Sequence, residues 1–159
     1  MAEAGYVQIL KESLEKKVDL LARIKEENIR QRDILMDDQA SPEQFQETVD
    51  HKEVWIDELN ALDDGFQLVF ERVRDIFEHN KAKYRSDILQ MKEMIRRITD
   101  DTTQIRAQEQ ENYKLAQLKF AGVKQQAQKI RKSQSAVSRY YKSMNGPDHV
   151  DAQFLDKTK

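Results

Sequence analysis

The chain has 159 residues, 35% of them charged, with four glycines, two prolines and no cysteine. That length suggests one domain. So few turn residues exclude a sandwich or barrel and favour long helices with wet faces, and the lack of cysteine excludes disulfides and thiolate metal sites. The net charge of −2 conceals an asymmetry: residues 1–111 hold 26 acids and 17 bases, residues 112–147 hold eight bases and no acid, and residues 148–159 hold three acids and two bases. Such polarity speaks about partners rather than fold.

Met1-Ala2-Glu3 opens no apolar signal core, and no run approaches the length of a membrane span, so a cytoplasmic protein is expected. From Glu3 to Asp37, Val7, Leu10, Leu14, Val18, Leu21 and Leu35 recur at helical spacing in one stripe, with Lys11, Glu15, Lys25 and Arg32 outside it. A helix of that length spans about 50 Å and suits an elongated hairpin. Asp37-Asp38-Gln39-Ala40 then reads as a turn and Ser41-Pro42-Glu43-Gln44 as a helix start, with Ser41 and Gln44 as a capping box and Pro42 at the first helical position. So short a loop folds the second helix back antiparallel on the first.

The second helix holds a coiled-coil-like seam of Phe45, Val49, Lys52, Ile56, Leu59, Asp63, Phe66, Phe70, Val73 and Phe77. Trp55, Leu62, Val69 and Ile76 form a second column beside it, so this helix should meet two neighbours. Gly65 reads as a weak point or slight bend, because the register continues through it. A reversal is expected near residues 79–85, where Asn80 could supply a left-handed cap, followed by a short or kinked helix 86–98 ahead of a long one. Thr99-Asp100-Asp101-Thr102-Thr103 is the competing turn candidate.

Two columns run on from there. Ile88, Ile95, Thr102, Glu109, Ala116, Val123, Ile130, Val137 and Met144 form one, and Met91, Ile98, Ile105, Asn112, Lys119, Gln126, Ser133 and Tyr140 the other. Past Glu109 the second turns polar while the first stays apolar, with Phe120 and Ala127 shifting the stripe sideways. A stripe that narrow offsets little of the ordering cost, so residues 112–147 are expected to be frayed or partly docked without a partner. Asn145-Gly146-Pro147 ends the helix, and residues 148–159 read as a disordered tail. The expected architecture is all-α: an elongated antiparallel hairpin within a body of residues 1–111, a long third helix, a basic amphipathic arm over 112–147 and the tail.

Catalysis finds no footing. His51, His79 and His149 stand apart with no second ligand at metal spacing. Asp63 could serve as an acid, but a carboxylate in a seam more often sets register. No phosphate loop, nucleophile elbow or cofactor motif occurs. The basic arm admits a solvated face, nucleic-acid binding, or a helix that waits for a partner helix. Nucleic acid is disfavoured by the acidic body and by charges spread around the helix. Membrane insertion is disfavoured by the thin apolar face. The partner-binding reading rests on Val123, Ala127, Ile130, Val137, Tyr140, Tyr141 and Met144 as apolar contacts, with Lys124, Arg131 and Arg139 as steering charges.

Lys52, Ile56-Asp57-Glu58-Leu59, Leu62-Asp63-Asp64-Gly65-Phe66 and Val73 resemble the second helix of FlgN-type flagellar export chaperones, closest to clostridial members. Ile105-Arg106-Ala107-Gln108-Glu109-Gln110-Glu111-Asn112 is similar to a segment of that family's last helix. Tyr140-Tyr141-Lys142-Ser143-Met144, a glycine-containing break and Phe154-Leu155-Asp156-Lys157 are similar to its tail, without the Ser/Arg-rich linker of many members. The likeness spans nearly the whole chain. It implies a cytoplasmic, non-enzymatic chaperone of the flagellar type III export system. Its C-terminal helix would capture an amphipathic terminal helix of a hook-associated, hook–filament junction protein, prevent premature assembly and deliver the client to the export machinery. The alternatives are a coiled-coil adaptor or scaffold that forms homo-oligomers through its helices and, third, a nucleic-acid-binding helical protein.

Overall fold

The structure is a computed structural model that describes residues 3–121 together with Gln128, Arg131, Lys132, Ser135 and Arg139. Among the described residues the fold is all-helical: α1 (Glu3–Met36), α2 (Pro42–Asp63), α3 (Phe66–His79) and α4 (Arg85–Lys119). α1 is the element the others share, packing against α2, α3 and α4.

The turn after α1 forms as its residues dictate. Asp37 Oδ1 accepts from the Gln39 amide at 2.9 Å, and both halves of the capping box close, with Ser41 Oγ accepting from the Gln44 amide and Gln44 Oε1 from the Ser41 amide. Such a cap is worth about 0.5–2 kcal/mol, and here it starts the return path. α2 runs back along the C-terminal half of α1, where Arg30 meets Glu47 and Gln31 meets Thr48. α3 continues along the N-terminal half, where Lys17 meets Phe66 and Tyr6 meets Arg72. α4 then runs beside α1 in the same direction, as the pairs Lys11–Asp87 and Lys25–Asp101, both at 3.0 Å, establish.

All eight apolar seam positions from Phe45 to Phe77 are buried. Trp55, Leu62 and Val69 of the second column are half-buried, and Ile76 is buried. In α1 the expected stripe is inside, except that Val18 is only half-buried and Lys17 takes the neighbouring buried place. Its ammonium reaches Asp63 at 2.6 Å and lies 5.0 Å from the centre of the Phe66 ring.

Three local expectations are corrected. Gly65 divides the helix instead of bending it: α2 stops at Asp63, and Gly65 adopts φ +79°, a left-handed conformation that costs glycine nothing sterically. The seam survives because Lys17 touches the last residue of α2 and the first of α3. Asn80 does lie in the expected turn, but with φ −139°. It caps α3 through its side chain, whose amide donates to the Ile76 carbonyl at 3.1 Å. Finally, α4 is one continuous helix from Arg85 to Lys119, with no separate 86–98 segment. The Thr99, Thr102 and Thr103 hydroxyls donate to the carbonyls of Ile95, Ile98 and Thr99, so these capping-type residues satisfy themselves inside a helix.

The conformation of Gly65 has a consequence of definite sign. In a helix interior Gly65→Ala would stabilise the protein by about 1 kcal/mol; at left-handed φ it should destabilise it by about 1–2 kcal/mol. Urea unfolding decides, and a stabilised G65A would refute the break.

Candidate partner-binding arm and its buried root

The arm's first two turns are part of the packed body. Asn112 is 3% exposed, Ala116 1% and Phe120 6%, and α4 crosses residues 111–112 without interruption. A frayed or partly docked start to the arm is therefore corrected for residues 112–120. The polar side chain in the second column marks burial among polar partners, not loss of contact.

Those partners form a layer across the helices. Lys52 Nζ of α2 donates to Glu109 Oε1 and Oε2 of α4 at 2.9 and 3.1 Å, and to Gln31 Oε1 of α1 at 3.1 Å. An ammonium has three donors, and each has an acceptor here. Gln31 Nε2 donates to Thr48 Oγ1 at 2.8 Å, and that hydroxyl donates to the Phe45 carbonyl. Asn112 Nδ2 donates to the Asn28 carbonyl at 2.9 Å and to Gln31 Oε1 at 3.1 Å. Asn28 Nδ2 in turn donates to Gln108 Oε1 at 3.2 Å.

The layer separates two apolar cores. The larger includes Leu21, Leu59, Val73, Phe77 and Ile105, and the smaller comprises Ile34, Leu35, Phe45, Val49, Ala116 and Phe120. In the smaller one the Phe45 and Phe120 rings lie 5.1 Å apart. Beside it Lys119 Nζ donates to the Asp37 carbonyl at 2.6 Å and the Ile34 carbonyl at 3.4 Å. α1 has no basic residue in its own last turn, so Lys119 supplies the cation that a helix C-terminus favours. The end of α4 is thus pinned to the α1–α2 turn.

Of the expected contact residues, Val123, Ala127, Ile130, Val137, Tyr140, Tyr141, Met144 and Lys124 lie outside the described residues, as does the expected tail at 148–159. Arg131 and Arg139 are helical and exposed, together with Gln128, Lys132 and Ser135. Sequence reasoning missed the root itself, Lys119, Phe120 and Phe45 as one unit. Phe120 breaking the seven-residue column sideways was the signal available.

The groups considered for chemistry are occupied otherwise. Asp63 is held by Lys17. His51 Nδ1 stands 3.3 Å from Glu27 Oε2, and Glu27 also accepts from Arg30. The Arg30 guanidinium is raised above its ordinary pKa, first by its hydrogen bond to Glu47 and then by the charge of Glu27. His79 pairs its Nδ1 with the Asp75 carbonyl, and His149 lies outside the described residues. No cluster of three or more His, Cys, Asp or Glu suited to a metal occurs among the described residues.

The polar layer makes a testable demand. Lys52→Met leaves the Glu109 carboxylate buried without its cation, at a cost of about 3–5 kcal/mol. Lys52→Met with Glu109→Leu removes both charges and should recover most of that loss, as measured by chemical denaturation. A single variant as stable as the parent would mean that the pair is not formed.

Comparison with protein-family models, with curated proteins and with solved structures finds no match for this chain.

Proposed function

We propose that this chain is a non-enzymatic cytoplasmic chaperone of the flagellar type III export system, whose C-terminal arm captures the amphipathic terminal helix of a hook-associated client. The architecture belonging to this reading is a three-helix body in which α2 and α3 together form the returning helix. In this reading the client is kept from assembling and is handed to the export machinery.

The observation that carries the reading is the apolar column that the sequence continues past residue 120. Up to Phe120 the last helix keeps Ile88, Met91, Ile98, Ile105, Ala116 and Phe120 in the body, while Leu89 and Leu118 are exposed. Beyond Phe120 the column Val123, Ile130, Val137 and Met144 continues at the same spacing, with bases around it and no acid before Asp148. A helix with one narrow apolar face and a uniform charge suits a partner helix of opposite charge, because the column supplies contact area and the bases speed encounter. The resemblance of the second helix, the Ile105–Asn112 segment and the Tyr140–Met144 ending to FlgN-type chaperones supports the same reading and names the client class. No helix among the described residues is long and apolar enough to cross a membrane.

The structure sets where a deletion should fall. Truncation after Glu111 would strip Asn112, Ala116 and Phe120 from the body and confound loss of binding with loss of fold. Truncation after Ala121 keeps the root. That variant should keep the helical signal of its body by circular dichroism and the parental unfolding midpoint, yet lose binding to hook–filament junction proteins in titration calorimetry. Full-strength binding by the truncated chain would overturn the proposal.

A further inference from the structure

The smaller core is built unequally. Ile34 and Leu35 of α1 and Phe45 and Val49 of α2 supply four of its six buried apolar residues. The end of α4 supplies Ala116 and Phe120, with Tyr113 and Leu115 half-buried beside them. The α1–α2 tip also holds itself together without α4. Its turn is covalent, its capping box is closed, and Arg30 and Gln31 bond across to Glu47 and Thr48. The end of α4 is held by what it lays on that tip.

Its polar ties are ones that water can replace. Asn112 Nδ2 donates to the Asn28 carbonyl and to Gln31 Oε1, and Lys119 Nζ donates to the Ile34 and Asp37 carbonyls. Glu111 meets Arg32 at 3.1 Å on the surface, and an exposed ion pair contributes little. If Asn112 left, Gln31 Oε1 would keep Lys52 and Gln31 Nε2 would keep Thr48, so the polar layer would stay satisfied. The closed contact also leaves Asn28 Oδ1 buried without a partner, which subtracts from its net stability. Just before this segment the balance reverses. Glu109 is held by the buried ammonium of Lys52 at 2.9 Å, and Ile105 belongs to the larger core.

We propose that residues 112–120 are a detachable lid. The end of α4 departs from the α1–α2 tip as one unit beyond Glu109, and uncovers Ile34, Leu35, Phe45 and Val49 while the larger core stays folded. Regions with few buried apolar contacts open at lower free energy than the whole molecule, and the Lys52–Glu109 pair marks where that opening stops. The lid does not depend on the chaperone reading. If that reading holds, opening frees Ala116 to extend the column of Val123 and Ile130 toward a client helix.

The chain has no cysteine, so single introduced thiols report opening. Ala116→Cys sits on the lid, Val49→Cys beneath it on α2, and Val73→Cys, at a position 0% exposed, reports the larger core. The full-length protein is treated with an alkylating reagent slow enough that closing outruns labelling. Positions 116 and 49 should label about a hundredfold faster than position 73. Their rates should depend weakly on urea, because little surface is exposed, whereas the rate at position 73 should follow the full slope of global unfolding. Adding Ile98→Val in the larger core should speed labelling at position 73 by up to about tenfold and leave position 116 unchanged. Equal rates and slopes at the three positions, a rate at position 116 that rises with Ile98→Val, or labelling at position 116 without labelling at position 49 would each overturn the lid. Should Ala116→Cys fold poorly, Val49→Cys against Val73→Cys, each with and without Ile98→Val, decides by itself. No client enters this measurement, so its failure is distinct from a failure of the chaperone reading.

Discussion

The buried contact of Lys52 with Glu109 and Gln31 is the constraint on which the alignment of the helices depends. Its net contribution to stability is small, because desolvating two ions costs several kcal/mol each and their attraction does little more than offset that. Its effect is on register. Columns that repeat every seven residues can slide by seven and still match apolar to apolar. Such a slide would face Glu109 with Phe45 or Leu59, both seam neighbours of Lys52 seven residues away, and bury a carboxylate in hydrocarbon. Because the lysine also bonds to Gln31 of α1, one side chain aligns α1, α2 and α4 at once.

A second polar contact does a related task at the other end. Lys17, buried among apolar neighbours in α1, spans the discontinuity at Gly65 by holding Asp63 on one side and the face of Phe66 on the other. A left-handed residue would otherwise uncouple α2 from α3. The two polar residues that interrupt the seam, Lys52 and Asp63, are thus each matched by an opposite charge from another helix. Asn28 shows that the arrangement is not perfect, since its Oδ1 is buried without a partner while its Nδ2 and carbonyl are engaged.

The seam, the capping box and the position of both reversals were legible in the sequence, because each rests on spacing within a single segment. What was not legible depends on stagger between segments. Glu109 lies 57 residues from Lys52, and no period within either helix reveals that they meet. Asn112 was misread for the same reason: a polar residue in a helical column is ordinarily wet, and only the placement of Asn28 and Gln31 opposite makes it a core residue. Gly65 and Thr99–Thr103 failed differently. Glycine is tolerated in helices and threonine caps them, and the local sequence alone does not decide between the two uses. The arm's root lay across an expected boundary at residue 111 that was drawn from charge, and charge does not follow packing.

That misplaced boundary bears on how the arm communicates with the body. The smaller core, from Ile34 to Phe120, is sealed from the larger one by groups that hydrogen-bond instead of interdigitating. Apolar packing transmits a change in shape to every neighbour, whereas a hydrogen-bonded layer holds its geometry until its bonds break. Phe120, Phe45 and Lys119 gather at the end of α4, and Gln31, Asn112 and the Lys52–Glu109 pair lie between them and the larger core. Elements with few apolar contacts open at lower free energy than the whole molecule, and among the described residues the smaller core has six buried apolar residues.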